Sequence, residues 1–359
     1  MITVSVSSLK SGERLTEEVR TLQGGLLIEK GKVLSQRDVE VLKAFMIKYV
    51  VVEAEGVTAK GEKVKGAPVS RFATNDASMF YKYYDGLYQL MKRAFHIISL
   101  GNDTLPILEL RTQLDRILQL IHIYNPLTFT SRRPQQGQDD YLIHSGIMNG
   151  LTSYLLAKWQ GLPQKDLVPI AIAGILHDIG TFRIDESIWN KSGKLSPEEY
   201  EEMKKHTVIG YNLLKNIAGL NDGVKLAALQ HHERNDGSGY PLGLGKDKIH
   251  LYAKIVAVAD VFHAMTTSRK HKKAASPYLV LEELMQEAFG RLEPALIQTF
   301  IQKLTQFHNG TIVRLNDGAV AEIVFTDRDH PTRPMVNVDG KIINLAAERD
   351  RFIQEVISN

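Results

Sequence analysis

The chain has 359 residues, with 44 Lys and Arg against 41 Asp and Glu, a formal charge of +3, and 43% hydrophobic residues. That balance is ordinary for a globular protein of two or three domains and too weakly basic to suggest DNA as a partner. No apolar run approaches the roughly 20 residues of a membrane span, the first residues carry no basic-then-apolar signal, and cysteine is absent, so a cytoplasmic protein without disulfides or thiolate metal sites is expected.

Residues 1–56 read as a small α+β module. Ile2, Val4 and Val6 alternate with polar residues, Gly24-Gly25 introduces Leu26 to Ile28, and Tyr49 to Val52 is a third strand-like run. Between them, Ser35 to Met46 has a helical pattern with Ser35 as its cap. Residues 57–76, rich in Gly, Lys and small side chains, read as a linker. A helical region is expected over 77–306, beginning with 77–124, where Leu87, Leu90, Met91 and Phe95 have helical spacing. Pro126 to Gln138, with Arg132-Arg133-Pro134, is polar enough to be a connection.

Beyond it, apolar helical faces begin to carry histidines. His144 shares a face with Ile147, Met148, Leu151, Tyr154 and Leu155. The run Ile170 to Leu176 closes on His177-Asp178. Ser196 caps a helix, Glu199 completes a capping box, and the pattern continues through Met203, His206, Gly210 and Leu213. Val224 to Gln230 ends in His231-His232, and Asp260 lies in Ile255 to Phe262, which is too apolar for a surface helix. Val280 to Gln306 supports two more helices. Thr311 to Leu315 and Val320 to Phe325 then read as strands, with tight turns at Asn316-Asp317-Gly318 and Asp339-Gly340. Residues 307–359 are therefore expected to form a small β-rich subdomain with a terminal helix, suited either to cap a pocket or to pair with a second subunit in a homodimer. The fold class expected overall is mainly α, a helical bundle between two small modules.

A single histidine on an apolar face is ordinarily a hydrogen-bonded core residue. Five histidines and two aspartates on such faces between residues 144 and 260 are not so explained. An unpaired carboxylate in low dielectric costs several kcal/mol, and a bound metal removes that cost. Imidazole together with carboxylate suits iron, manganese, zinc or nickel.

His177-Asp178-Ile179-Gly180, then His206, then His231-His232-Glu233-Arg234 with Asp236 to Pro241, then Val258-Ala259-Asp260, resemble the HD-GYP subgroup of HD-domain phosphohydrolases over roughly residues 140–276. The resemblance implies a helical HD bundle with two or three divalent metals, iron or manganese, and cyclic di-GMP or a related cyclic dinucleotide as substrate, opened to pGpG or taken on to GMP. It assigns His144, His177, Asp178, His206, His231, His232 and Asp260 as ligands, with Asp178 bridging two metals. Asp140, four residues before His144, stands where three-metal members carry Glu. Arg269 and Lys272 match phosphate contacts, although spacing alone makes Arg269 to Lys273 a solvated basic run. Gly239, Tyr240 and Pro241 match the signature loop that shapes the substrate pocket. Two metals about 3.5–4 Å apart can activate a water and clamp a phosphate oxygen during in-line displacement.

Two positions depart from the family. Thr181 replaces a Lys that contacts the scissile phosphate, and losing one such donor can cost about 10²–10³ in turnover. His263 replaces an Asp one helical turn after Asp260, as a supplementary ligand or as a partner of one. Three functions follow. The first is a cyclic di-GMP phosphodiesterase of lowered activity, with Asp178 and Thr181 at the reacting phosphate. The second is a weakened dinucleotide receptor, and the third an HD-type hydrolase of another phosphoester.

Overall fold

The computed structural model describes residues 2–6, 9, 12–20, 26–35, 38–39, 42, 47, 49–53, 71–129, 138–267, 275–287, 290–306, 310–327 and 329–358; of residues 2, 3, 5, 20, 26, 49, 71–75, 138–140, 287 and 358 it describes the backbone alone. In the N-terminal module, strand β1 (Ile2–Ser5) pairs antiparallel with β4 (Tyr49–Val52), and β2 (Val19–Arg20) pairs with β3 (Leu26–Ile28). Leu15, Leu34, Val39, Leu42 and Val52 fill its own small core. Asp38, Val39 and Leu42 are helical, while the rest of the helix expected over Ser35 to Met46 is outside the described residues, save Ser35. Ser35 Oγ accepts the Asp38 N–H at 3.2 Å, and the Asp38 carboxylate accepts the Ser35 N–H at 2.9 Å, a reciprocal capping box.

The helical region opens with α1 (Arg71–Ser99), which takes in the last residues of the stretch read as a linker. The residues expected to be helical over 77–124 divide into α1 and α2 (Ile107–Gln119). Gly101 at φ +98° and Pro106 account for the break, since neither continues a helix. Next come α3 (Gln138–Trp159), α4 (Gln164–Leu176), a 3-10 turn (Ile179–Arg183) and α5 (Glu186–Trp189). They are followed by α6 (Pro197–Lys204), α7 (His206–Leu214), α8 (Asp222–Gln230) and α9 (Leu251–Thr266). Every residue from Ile170 to Leu176 is buried, because α4 is wrapped by α3, α8 and α9 and has no solvent face to make polar. The helix expected from Ser196 through Leu213 breaks at Lys205. There the His206 ring and the Thr207 hydroxyl bond the Met203 and Lys204 carbonyls at 2.7 and 2.9 Å, in competition with the backbone ladder. The expected Ser196–Glu199 capping box is formed.

Helices α10 (Pro277–Glu287) and α11 (Pro294–Leu304) lead into a five-stranded antiparallel sheet. Its strands are β5 (Ile312–Leu315), β6 (Val320–Phe325), β7 (Met335–Val338), β8 (Lys341–Asn344) and β9 (Ile353–Ser358), in the order β8-β7-β6-β5-β9. The terminal helix expected within residues 307–359 is replaced by strand β9. Ile353, Val356 and Ile357 are β-branched, the edge of β5 needs a partner, and the Ser276 hydroxyl donates to Ile353 O at 2.6 Å. Val313, Ile323, Val336 and Ile353 join the same continuous core as α10 and α11, so the sheet is bonded to the helical bundle by packing. No helix among the described residues is long and apolar enough to cross a membrane.

Candidate metal centre

Three histidines are held in the same way. His177 ends α4 with Nδ1 2.8 Å from Gly174 O, His206 opens α7 with Nδ1 2.7 Å from Met203 O, and His231 ends α8 with Nδ1 3.0 Å from Ala227 O. A neutral imidazole donating from Nδ1 to a carbonyl must carry its lone pair on Nε2. Those Nε2 atoms converge on one carboxylate. Asp178 Oδ1 lies 3.3 Å from His206 Nε2 and 3.4 Å from His231 Nε2, and Asp178 Oδ2 lies 3.2 Å from His177 Nε2. His206 Nε2 and His231 Nε2 are themselves only 3.4 Å apart.

Lone pairs and a carboxylate facing each other repel unless a cation stands among them. The donors fall into two groups, each with ligand atoms within 4.8 Å of one another: Asp178, His206, His231 and His232, and His177, Asp178 and Asp260. Asp178 belongs to both. His177 Nε2 is buried and makes no hydrogen bond, although Asp260 Oδ1 is 3.4 Å away. An orphaned buried nitrogen between two carboxylates fits a metal ion, as does the imidazole and carboxylate donor set. Burial opposes charge on His177, but Asp178 and Asp260 outweigh it and raise its pKa well above the usual value, so without an ion a proton on Nε2 supplies the positive charge that a bound metal would replace. Burial would likewise raise Asp178 and Asp260, yet His177 beside them holds both carboxyls below their ordinary range. Burial and the neighbouring His231 and His206 push His232 well down, which leaves it neutral with a lone pair to give.

Backbone proximity makes this convergence possible. A Cβ on Gly180 would sit 2.0 Å from His206 O and 2.6 Å from Gly210 N. Glycine there lets the turn carrying Asp178 lie directly against α7, which carries His206. Gly239 plays the same part in the loop after α8, where a Cβ would meet Arg234 N at 2.4 Å and Glu233 Cα at 2.5 Å. Held that closely, Tyr240 stacks on His232, with ring centroids 4.7 Å apart at 27°, and is followed by Pro241. Burial raises the Tyr240 hydroxyl pKa, so the phenol stays protonated. Glu233, which sequence reasoning gave no role, is buried and accepts the backbone N–H groups of Leu242 at 2.7 Å and Leu244 at 2.8 Å. Its partners are backbone groups beyond the loop, which no residue pattern announces.

Other expected site residues are placed differently. His144 is buried but belongs to neither donor group; its Nδ1 is 2.9 Å from the Tyr84 hydroxyl, and its ring stacks 4.5 Å from Tyr88. The side chain of Asp140 is not described, and Arg269 and Lys272 lie outside the described residues. The Thr181 hydroxyl is buried and has no hydrogen-bond partner among the described residues. Arg183, a nearby cation, is turned away, donating to Ile98 O and to Asp103. His263 Nε2 lies 2.7 Å from Thr152 Oγ1, and burial pushes its pKa down to about 4. It belongs to neither donor group and stands as a polar neighbour one turn beyond Asp260.

The family model described as HD domain matches residues 115–296. A cyclic di-GMP phosphodiesterase of Pseudomonas aeruginosa is 31% identical over 186 residues, which is 52% of this chain and 45% of that protein. A cyclic di-GMP phosphodiesterase of Thermotoga maritima is 40% identical over 159 residues, 43% of this chain and 42% of that one. A 3'3'-cGAMP-specific phosphodiesterase of Vibrio cholerae is 36% identical over 153 residues, 42% of this chain and 29% of that one. The chain thus spans less than half the length of each of these relatives.

Proposed function

This chain belongs to the HD domain family, and on that premise we propose that it is a metal-dependent phosphodiesterase that opens a cyclic dinucleotide, cyclic di-GMP first among them, to the linear dinucleotide or on to GMP. The observation that carries this reading is Asp178, whose two oxygens face the Nε2 atoms of His177, His206 and His231 and which is shared by both donor groups. Two divalent ions, iron or manganese, would share Asp178, one held with His206, His231 and His232 and the other with His177 and Asp260. A third ion would call on Asp140.

A pair of divalent ions, when bound, supplies an activated water and neutralises charge on the phosphate. The remaining work belongs to the chain. The carbonyls of Gly174, Met203 and Ala227 hold three imidazoles in the tautomer that presents Nε2. Tyr240, seated on His232 by Gly239 and Glu233, forms one wall of the substrate pocket together with Pro241, and its protonated hydroxyl can donate to a phosphate oxygen. Arg269 and Lys272, which follow α9 in the sequence, would supply phosphate contacts.

A second reading has one observation in its favour. Thr181 presents no cation to the phosphate, and Arg183 is turned away toward Ile98 O and Asp103, so one charged donor is missing beside the scissile phosphate. A dinucleotide receptor with slow or no turnover would result. Incubating anaerobically purified protein with Mn²⁺ or Fe²⁺ and either cyclic di-GMP or 3′3′-cGAMP, with chromatography of the products, separates the two. Linear dinucleotide or mononucleotide supports the phosphodiesterase. Tight binding with no product supports the receptor, and neither binding nor product with both compounds overturns both.

A further inference from the structure

Tyr200 and Lys204 lie one turn apart on α6, so their side chains share a face of that helix. Tyr200 is 49% exposed, a large aromatic ring that no core requires. Its ring meets that of Tyr240 edge-on, with centroids 6.4 Å apart at 77°. Tyr240 in turn stacks on His232 and lies 6.4 Å from the His206 ring, so an aromatic path leads from the donor cluster out to solvent through Tyr200. Lys204 Nζ is 5.3 Å from the Tyr200 centroid and 5.8 Å from that of Tyr240, an ammonium shared by both rings. It also pairs with Glu201 at 2.6 Å, but the Glu201 side chain is 67% exposed, and a solvent-screened pair of that kind is cheaply exchanged.

We propose that Tyr200 and Lys204 form a nucleobase ledge at the rim of the metal centre, Tyr200 stacking a purine base and Lys204 holding the phosphate beside it. The ledge deepens the phosphodiesterase reading and rests on it. An exposed ring with a cation one turn away matches a nucleotide, which carries a flat π-face and an anion within one residue of each other. It also places a fixed positive charge near a substrate whose scissile phosphate has lost the donor at Thr181. Because Tyr200 is exposed, its replacement leaves the core and the metal ligands untouched.

The test uses the Mn²⁺-loaded full chain with cyclic di-GMP and compares wild type, Tyr200→Ala, Tyr200→Trp and Lys204→Gln by KM, kcat and metal content. Loss of one stacked base raises KM for Tyr200→Ala by about 5- to 140-fold, with kcat changed little and metal content the same. Tyr200→Trp restores KM, because any large π-face serves. Loss of one charge-assisted contact raises KM for Lys204→Gln by about 10- to 140-fold. If wild type cleaves cyclic di-GMP and Tyr200→Ala keeps its KM within about twofold of wild type, far below the cost of one lost stacked base, the ledge is wrong while the phosphodiesterase stands. If wild type neither binds nor cleaves cyclic di-GMP or 3′3′-cGAMP, the phosphodiesterase reading falls and the ledge falls with it.

Discussion

Asp178→Ala will strip nearly all divalent metal from the protein, whereas Asp260→Ala will leave about half of it bound. The asymmetry comes from geometry. Asp178 is a member of both donor groups, and its two oxygens lie 3.2–3.4 Å from three Nε2 atoms. Asp260 belongs to one group and faces His177 alone among these histidines. Removing it leaves Asp178, His206, His231 and His232 intact as a four-donor set. Metal analysis by mass spectrometry after anaerobic purification reads the difference directly. Turnover falls to background in both variants, because a two-ion reaction needs both ions. Equal metal loss in the two variants would remove the bridging role from Asp178.

Gly180→Ala will be among the most damaging single methyl groups that can be added to this chain. The new Cβ would meet His206 O at 2.0 Å, His206 C at 2.9 Å and Gly210 N at 2.6 Å, all backbone atoms that no rotamer change can move aside. The turn and α7 must part, and the 3.3 Å approach of Asp178 to His206 is lost with them. Overpacking of this kind costs about 3 kcal/mol or more. For a domain of this size that lowers Tm by roughly 6–12 °C, and bound metal is lost as well. Gly86→Ala on α1 is the control, since the nearest atom to its Cβ is the flexible Gln113 side chain at 3.4 Å. There the helix gains about 0.5–1 kcal/mol from alanine. Scanning calorimetry of both variants measures the contrast, and an unchanged Tm for Gly180→Ala would contradict the close packing of Gly180 against α7.

The six residues of the two donor groups were legible because each interrupts an apolar face or closes an apolar run. Burial of His177, His206 and His231 at 0–1% exposure is the outcome that such interruptions predict. The division into two groups was not legible in the residues alone, since it depends on which helix ends meet. His144 shows the limit of the same reasoning. Its face is buried as the spacing of Ile147, Leu151 and Leu155 requires, yet its hydrogen-bond partner is Tyr84, sixty positions earlier on α1. The break at Lys205 escaped for another reason. Helical periodicity continues through it, and only the competition of His206 and Thr207 for carbonyls interrupts the ladder. At the end of the chain, Ile353 to Ser358 carries no local signal strong enough to separate helix from strand, and the unpaired edge of β5 decides the outcome.

Anomalous diffraction from crystals of anaerobically purified protein, recorded at the iron and manganese absorption edges, locates the metals relative to Asp178. The result expected is two strong peaks per chain within coordinating distance of opposite oxygens of Asp178, one also reached by His206, His231 and His232 and the other by His177 and Asp260. A single peak, or two peaks that do not share Asp178, would contradict the bridging role of Asp178.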